Sequence, residues 1–177
     1  PMSTEYILKD PTVEFAVLET ARGGILRSGL GFSRCDIGII TNISEDHLGL
    51  NDIDTLADLA RVKKVVVRSV KKDGWAILNA DDDECIKIAQ DLDCNVAFFS
   101  MDEDNPFIKK LGKEGKIVAV YENGFITIKK GDWKIRVEKA MHVPLTLGGR
   151  AKFMISNVLA ATLASYLYGF KTEDISL

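Results

Sequence analysis

Cysteine and histidine are both scarce in this chain, and the scarcity narrows its chemistry. The three cysteines, Cys35, Cys85 and Cys94, are odd in number and lack CxxC spacing. They support neither a disulfide framework nor a zinc site and are expected to be free, buried thiols. No apolar run approaches the ~20 residues that a membrane-spanning helix requires, and no N-terminal stretch has the regions of a secretory leader. A cytoplasmic protein without membrane contact is therefore expected. Charge of one sign is also missing: the formal net charge is -3, and lysines and arginines are scattered rather than gathered on one stripe. That pattern leaves no electrostatic footprint for nucleic acid. Internal repeats and low-complexity tracts are absent as well.

What is present alternates as α/β proteins do. Across 177 residues, a length that suits one domain with a real core, short continuous apolar runs predict strands covered on both faces at Phe15 to Leu18 and Ile37 to Ile40. A helix is expected over 54–71, a strand over 75–78, a helix over 83–91 and a strand over 96–99. This is the rhythm of a mostly parallel, doubly wound sheet. Between about 115 and 147 the texture changes to short alternating runs broken by Asn123-Gly124 and Gly131-Asp132, which predicts an antiparallel meander. Gly112, Gly115 and Lys116 fall in this hairpin-like context. A last helix is expected over 153–168, ending before Gly169, and the closing residues begin another element.

In open parallel sheets, ligands bind beyond the carboxyl ends of the strands. Glu19 follows the first predicted strand, and Asp46 and His47 follow the second, within TNISEDHLGL at 41–50. A carboxylate and an imidazole meeting there would make a site for a divalent cation, magnesium or manganese. An acid–histidine pair can equally cap a helix N-terminus, and periodicity alone leaves both readings open. The following helix places Lys63 in the middle of its apolar stripe, among Leu56, Leu59, Ala60, Val66, Val67 and Val70, with Lys64 towards the edge. A lysine on such a face must be paired, snorkel to the rim or lose its charge. A neutral amine reacts with carbon dioxide to give a carbamate, an anionic oxygen ligand that would join Glu19 and His47. Arg22 and Arg27 lie in a glycine-rich turn past Glu19, where a cation meets a phosphoryl or carboxylate oxygen or simply solvent.

Four segments carry a resemblance: AVLETARGGILRSGLG (16–31), TNISEDHLGL (41–50), TLADLARVKKVVVRSV (55–70) and AILNADDD (76–83). In this order they resemble the central, ATP-binding domain of the Mur ligase superfamily, and within it the cyanophycin synthetase branch. GGRAKFMISNVLAA (148–161) resembles the family's HNxxN segment, so the likeness spans nearly the whole chain as one partial central domain. The resemblance implies an ATP-dependent, ADP-forming amide ligase working through an acyl phosphate, with ATP and Mg2+ as cofactors. In that branch, arginine is added to aspartate side chains of a poly-aspartate backbone, and a separate ATP-grasp region adds the aspartate. It further implies metal ligation by Glu19, His47 and a carbamylated Lys63, with Asp46 orienting His47. Asn79, Asp81 and Asn157 would lie by the nucleotide, and Arg22 by the reacting oxygens; Asn42, at the same sheet edge, would bond the ligand or cap the turn. Amino acids and peptide carboxylates are the implied partners, and self-association of the full-length protein stays open. Two departures stand out. Phe153-Met154 replaces the family's HN, and the phosphate-binding GxxGKT loop is missing, so the chain is expected to be an excised piece, inactive alone. The alternatives are a cell-wall or folylpolyglutamate ligase, or a nucleotide- or metal-binding module without catalysis.

Overall fold

The computed structural model describes residues 2–44, 49 and 53–175. Their elements in chain order are helix α1 (Met2–Lys9), helix α2 (Arg22–Ser28), strand β1 (Cys35–Ile40), helix α3 (Leu56–Arg68), strand β2 (Val70–Asn79), helix α4 (Asp83–Ala89) and strand β3 (Asn95–Ser100). Helix α5 (Pro106–Lys113), strands β4 (Ile117–Glu122), β5 (Phe125–Lys130) and β6 (Trp133–Lys139), two short 3-10 turns at Ala140–His142 and Pro144–Thr146, helix α6 (Lys152–Tyr168) and helix α7 (Thr172–Ile175) follow. The strands form one six-stranded sheet in sequential order. β1 to β4 run parallel, and β4, β5 and β6 pair antiparallel as the expected meander.

Parallel strands need crossovers, and here the crossovers are α3, α4 and α5. Residues from these helices join Ile40, Leu78, Phe98 and Val118 in one core layer, while α6 packs Ile155, Leu159 and Leu163 against Ile77, Phe99 and Ile126 in the other. The α/β class with helices on both faces of a mostly parallel sheet thus agrees with the sequence reading. Helix α3 starts where the Thr55 hydroxyl accepts the Asp58 backbone N–H at 3.2 Å. It lies unusually close to β1 because Gly38 has no side chain. A Cβ there would meet Val70 Cγ2 at 2.8 Å, the Val66 carbonyl at 3.1 Å and Val67 Cα at 3.2 Å.

Three expectations are corrected. Phe15 to Leu18 forms no strand: the run is irregular, with Phe15 50% and Val17 86% exposed. An apolar run becomes a strand only if its backbone groups find a neighbouring edge. A cleft of about 960 Å³, lined by 13–22 on one side and by β1 on the other, separates this run from the sheet. The glycine-rich stretch after Glu19 is not a turn but α2, which ends at Gly29 with φ 70. Gly112 lies in α5, and Gly115, at φ 70, closes that helix while the Lys116 N–H reaches back to the Leu111 carbonyl at 3.0 Å, so neither belongs to a hairpin.

Candidate active-site cleft

The parallel strands β1, β2 and β3 all deliver their carboxyl ends to one edge of the sheet. There the chain passes from Ile40 into Thr41-Asn42-Ile43, from Asn79 into Ala80-Asp81-Asp82, and from Ser100 into Met101. Five of the residues singled out by sequence, Glu19, Arg22, Asn42, Lys63 and Asn157, line the cleft beside β1. They arrive from four separate places: the irregular run with the start of α2, the loop after β1, α3 and α6. His47 and Asp46 lie outside the described residues.

Lys63 resolves its awkward position by reach. It is half-buried, one turn from buried Leu59 and one turn from buried Val67. Its Nζ extends to the rim and donates to the Asn42 carbonyl at 2.7 Å. The neighbouring Lys64 points elsewhere, donating to Asp91 Oδ2 at 2.5 Å on the far side of α3. Glu19 is exposed, Arg22 is half-buried, and Asn157 is exposed with its amide near Met154 Sδ at 3.9 Å. Arg27 is exposed and does not line the cleft. The charged lining balances, with Arg22, Arg34 and Lys63 against Glu14, Glu19 and Asp36. Attraction for a phosphoryl group therefore has to come from the local placement of Arg22 and Lys63 rather than from an overall positive field.

Asn79 and Asp81 sit at the same sheet edge but outside the cleft lining. Asn79 Nδ2 donates to the Thr41 carbonyl at 2.9 Å, and its Oδ1 accepts the Asp81 N–H at 2.8 Å. Asp81 accepts the Ser100 hydroxyl at 2.5 Å, the Asn105 amide at 3.0 Å and the Met101 N–H at 2.7 Å. Both side chains are thus joined to neighbouring loops of the protein itself. Asp82, which the sequence reading passed over, caps α4 through Oδ1, accepting Glu84 N–H at 3.0 Å and Cys85 N–H at 3.3 Å. Its Oδ2 accepts the Ile43 N–H at 2.6 Å. The cap was legible, since an aspartate stands just ahead of a helical pattern. The bond to Ile43 was not, because it spans 39 residues of sequence.

The family model for the Mur ligase middle domain matches residues 3–165. The chain belongs to that family. Over 175 residues, 99% of the chain, it is 52% identical to a cyanophycin synthetase of Trichormus variabilis, of which it covers 19%. A UDP-N-acetylmuramate–L-alanine ligase of Acetivibrio thermocellus is 27% identical over 144 residues, 78% of this chain and 27% of that protein. The crystal structure of MurF from Acinetobacter baumannii superposes with a TM-score of 0.52 at 19% identity, covering 80% of this chain and 27% of that one, a likeness of fold. The chain therefore spans about a fifth of the length of the curated cyanophycin synthetase it matches. In this Mur ligase middle domain, Glu19, Arg22, Asn42, Lys63 and Asn157 surround one opening beside β1. Among the described residues no helix is long and apolar enough to cross a membrane.

Proposed function

We propose that this chain is part of an ATP-dependent, ADP-forming ligase of the cyanophycin synthetase type, which joins arginine to aspartate side chains of a poly-aspartate backbone. One observation supports the reading: Glu19, Arg22 and Lys63, which come from distant parts of the sequence and were marked by the family resemblance for metal and phosphoryl chemistry, line a single cleft. The 52% identity to a cyanophycin synthetase, against 27% to a cell-wall ligase, favours the first over the second.

The donor set suits a hard cation. Glu19 offers a carboxylate on the cleft wall, and Lys63 offers carbamate oxygens once its neutral amine has attacked carbon dioxide. In that step a C–N bond forms, one N–H proton leaves to solvent and a single N–H stays on the nitrogen. The Lys63 nitrogen that would carry this group stands at the cleft lining, 2.7 Å from the Asn42 carbonyl. Bound Mg2+ would supply charge neutralisation for phosphoryl and carboxylate oxygens. Arg22 adds a guanidinium donor to the same cleft lining as Glu19, and Asn157 adds an amide from α6 that would face the nucleotide. Most of the catalytic effect expected of these residues is positioning and electrostatic stabilisation.

The test uses the full-length protein with ATP, Mg2+, arginine and a poly-aspartyl primer. Arginine incorporation with stoichiometric ADP release is expected. Release of ADP dependent on a muramyl or folyl acceptor instead would move the protein to the other ligase branch, and nucleotide binding without turnover would make it a binding module.

A further inference from the structure

Three consecutive residues of the loop that leaves β1 are each held by a side chain from a different element. The Thr41 carbonyl accepts from Asn79 at the end of β2, the Asn42 carbonyl accepts from Lys63 in α3, and the Ile43 N–H donates to Asp82 at the cap of α4. Two of these ties fix the loop, while the third spends the position so fixed on Lys63. The geometry points to Asp82 as a positioning residue for Lys63, acting through the backbone of residues 42 and 43 and touching neither nucleotide nor substrate. This role rests on the ligase reading for its purpose, but it is stated entirely in terms of bonds within the chain.

A carboxylate has two oxygens, and Asp82 divides them: Oδ1 serves two backbone N–H groups of α4, and Oδ2 serves Ile43 alone, at the short distance of a charge-assisted bond. Ile43 is itself buried in the core layer beneath α3. With its side chain packed and its N–H held, the preceding peptide unit, which carries the Asn42 carbonyl, has little freedom to turn. That carbonyl accepts from the Lys63 nitrogen and so helps to set where it stands. Without the tie, the carbonyl is free to rotate towards solvent, and Lys63 loses the bond it makes there and gains rotamer freedom.

Serine caps helices well but carries a single oxygen, so Asp82→Ser keeps the cap of α4 and loses the tie to Ile43, whereas Asp82→Ala loses both. The measurements need no nucleotide, metal or turnover: amide exchange at Ile43 and Cys85, thermal melting, and the labelling rates of Lys63 and Lys64 by an amine-acylating reagent, read by mass spectrometry. In Asp82→Ser, Ile43 exchange is expected to accelerate about tenfold or more. Lys63 labelling should rise several-fold, with Cys85 exchange, Lys64 labelling and the melting temperature close to wild type. Unchanged Lys63 labelling despite a freed Ile43 overturns the proposal, as does an Ile43 that stays protected. Parallel rises at Lys63 and Lys64 with a lowered melting temperature overturn it too, since they mark a general loosening of α3. A failed arginine-ligation assay would leave all these readouts intact, so failure of the ligase reading is separable from failure of this one.

Discussion

At the scale of single residues, two adjacent lysines on one helix have opposite assignments. Lys63 reaches the cleft and Lys64 reaches Asp91. In the full-length protein, Lys63→Ala is expected to lower ligation on the order of 10²-fold or more, because it removes a group placed for developing charge. Added bicarbonate should fail to restore activity, since no amine remains to react. Lys64→Ala should keep turnover. Its partner Asp91 is largely exposed, and such a pair contributes below about 1 kcal/mol. Steady-state rates of the two variants check this, and equal losses would discredit the assignment. The cysteines offer a second check. Burial pushes the Cys85 thiol up to about 12, and Cys85 is fully enclosed while Cys35 and Cys94 are half-buried. Because the thiolate is the nucleophile, native-state alkylation at pH 8 should leave Cys85 unlabelled while the other two react slowly. In denaturant all three should label.

At the scale of elements, the position of α3 on β1 decides whether Lys63 meets Asn42 at all. Gly38 permits that approach, with the backbone of Val66 and Val67 where its Cβ would be. Gly38→Ala is expected to cost about 1–3 kcal/mol as overpacking against a helix backbone that cannot yield cheaply. Chemical denaturation measures the cost. Lys63 labelling in the same variant should rise, because a displaced α3 carries the amine off the carbonyl. Helix α3 itself was legible in sequence from its apolar stripe, and the structure starts it at the Thr55 cap. Helix α5 was passed over, although Asn105-Pro106 is a helix-start signal, with the Asn105 carboxamide accepting from Phe107 N–H at 2.9 Å and proline in the first turn. Helix α2 gave less warning. Two glycines in seven residues lower its propensity, so the sequence read as a turn.

At the scale of the whole molecule, part of the acid stability should follow one buried carboxylate. Glu122 is buried on the sheet, and burial alone would raise its pKa. Hydrogen bonds and charge from Lys129 and Lys134 outweigh that and hold it at about 2, below the ordinary 4.5. The unfolded chain therefore takes up this proton first on acidification. The contribution is complete above about pH 4.5 and is lost as the pH falls towards 2. Glu122→Gln should flatten the fall in unfolding free energy across that window, as followed by denaturant melts at stepped pH. An unchanged slope would show that the lysines do not hold the carboxylate. Strands β1 to β3 with helices α3, α4 and α6, the meander after Glu114 and the family were written locally, in runs of apolar residues, turn pairs and motifs, because these depend on neighbours within a few positions. Whether Phe15 to Leu18 became a strand, which lysine faced the cleft and what Asp82 held were settled only by the fold. Each depends on a partner brought from elsewhere in the chain, and a backbone edge, a carbonyl or an N–H leaves no mark in the side-chain pattern.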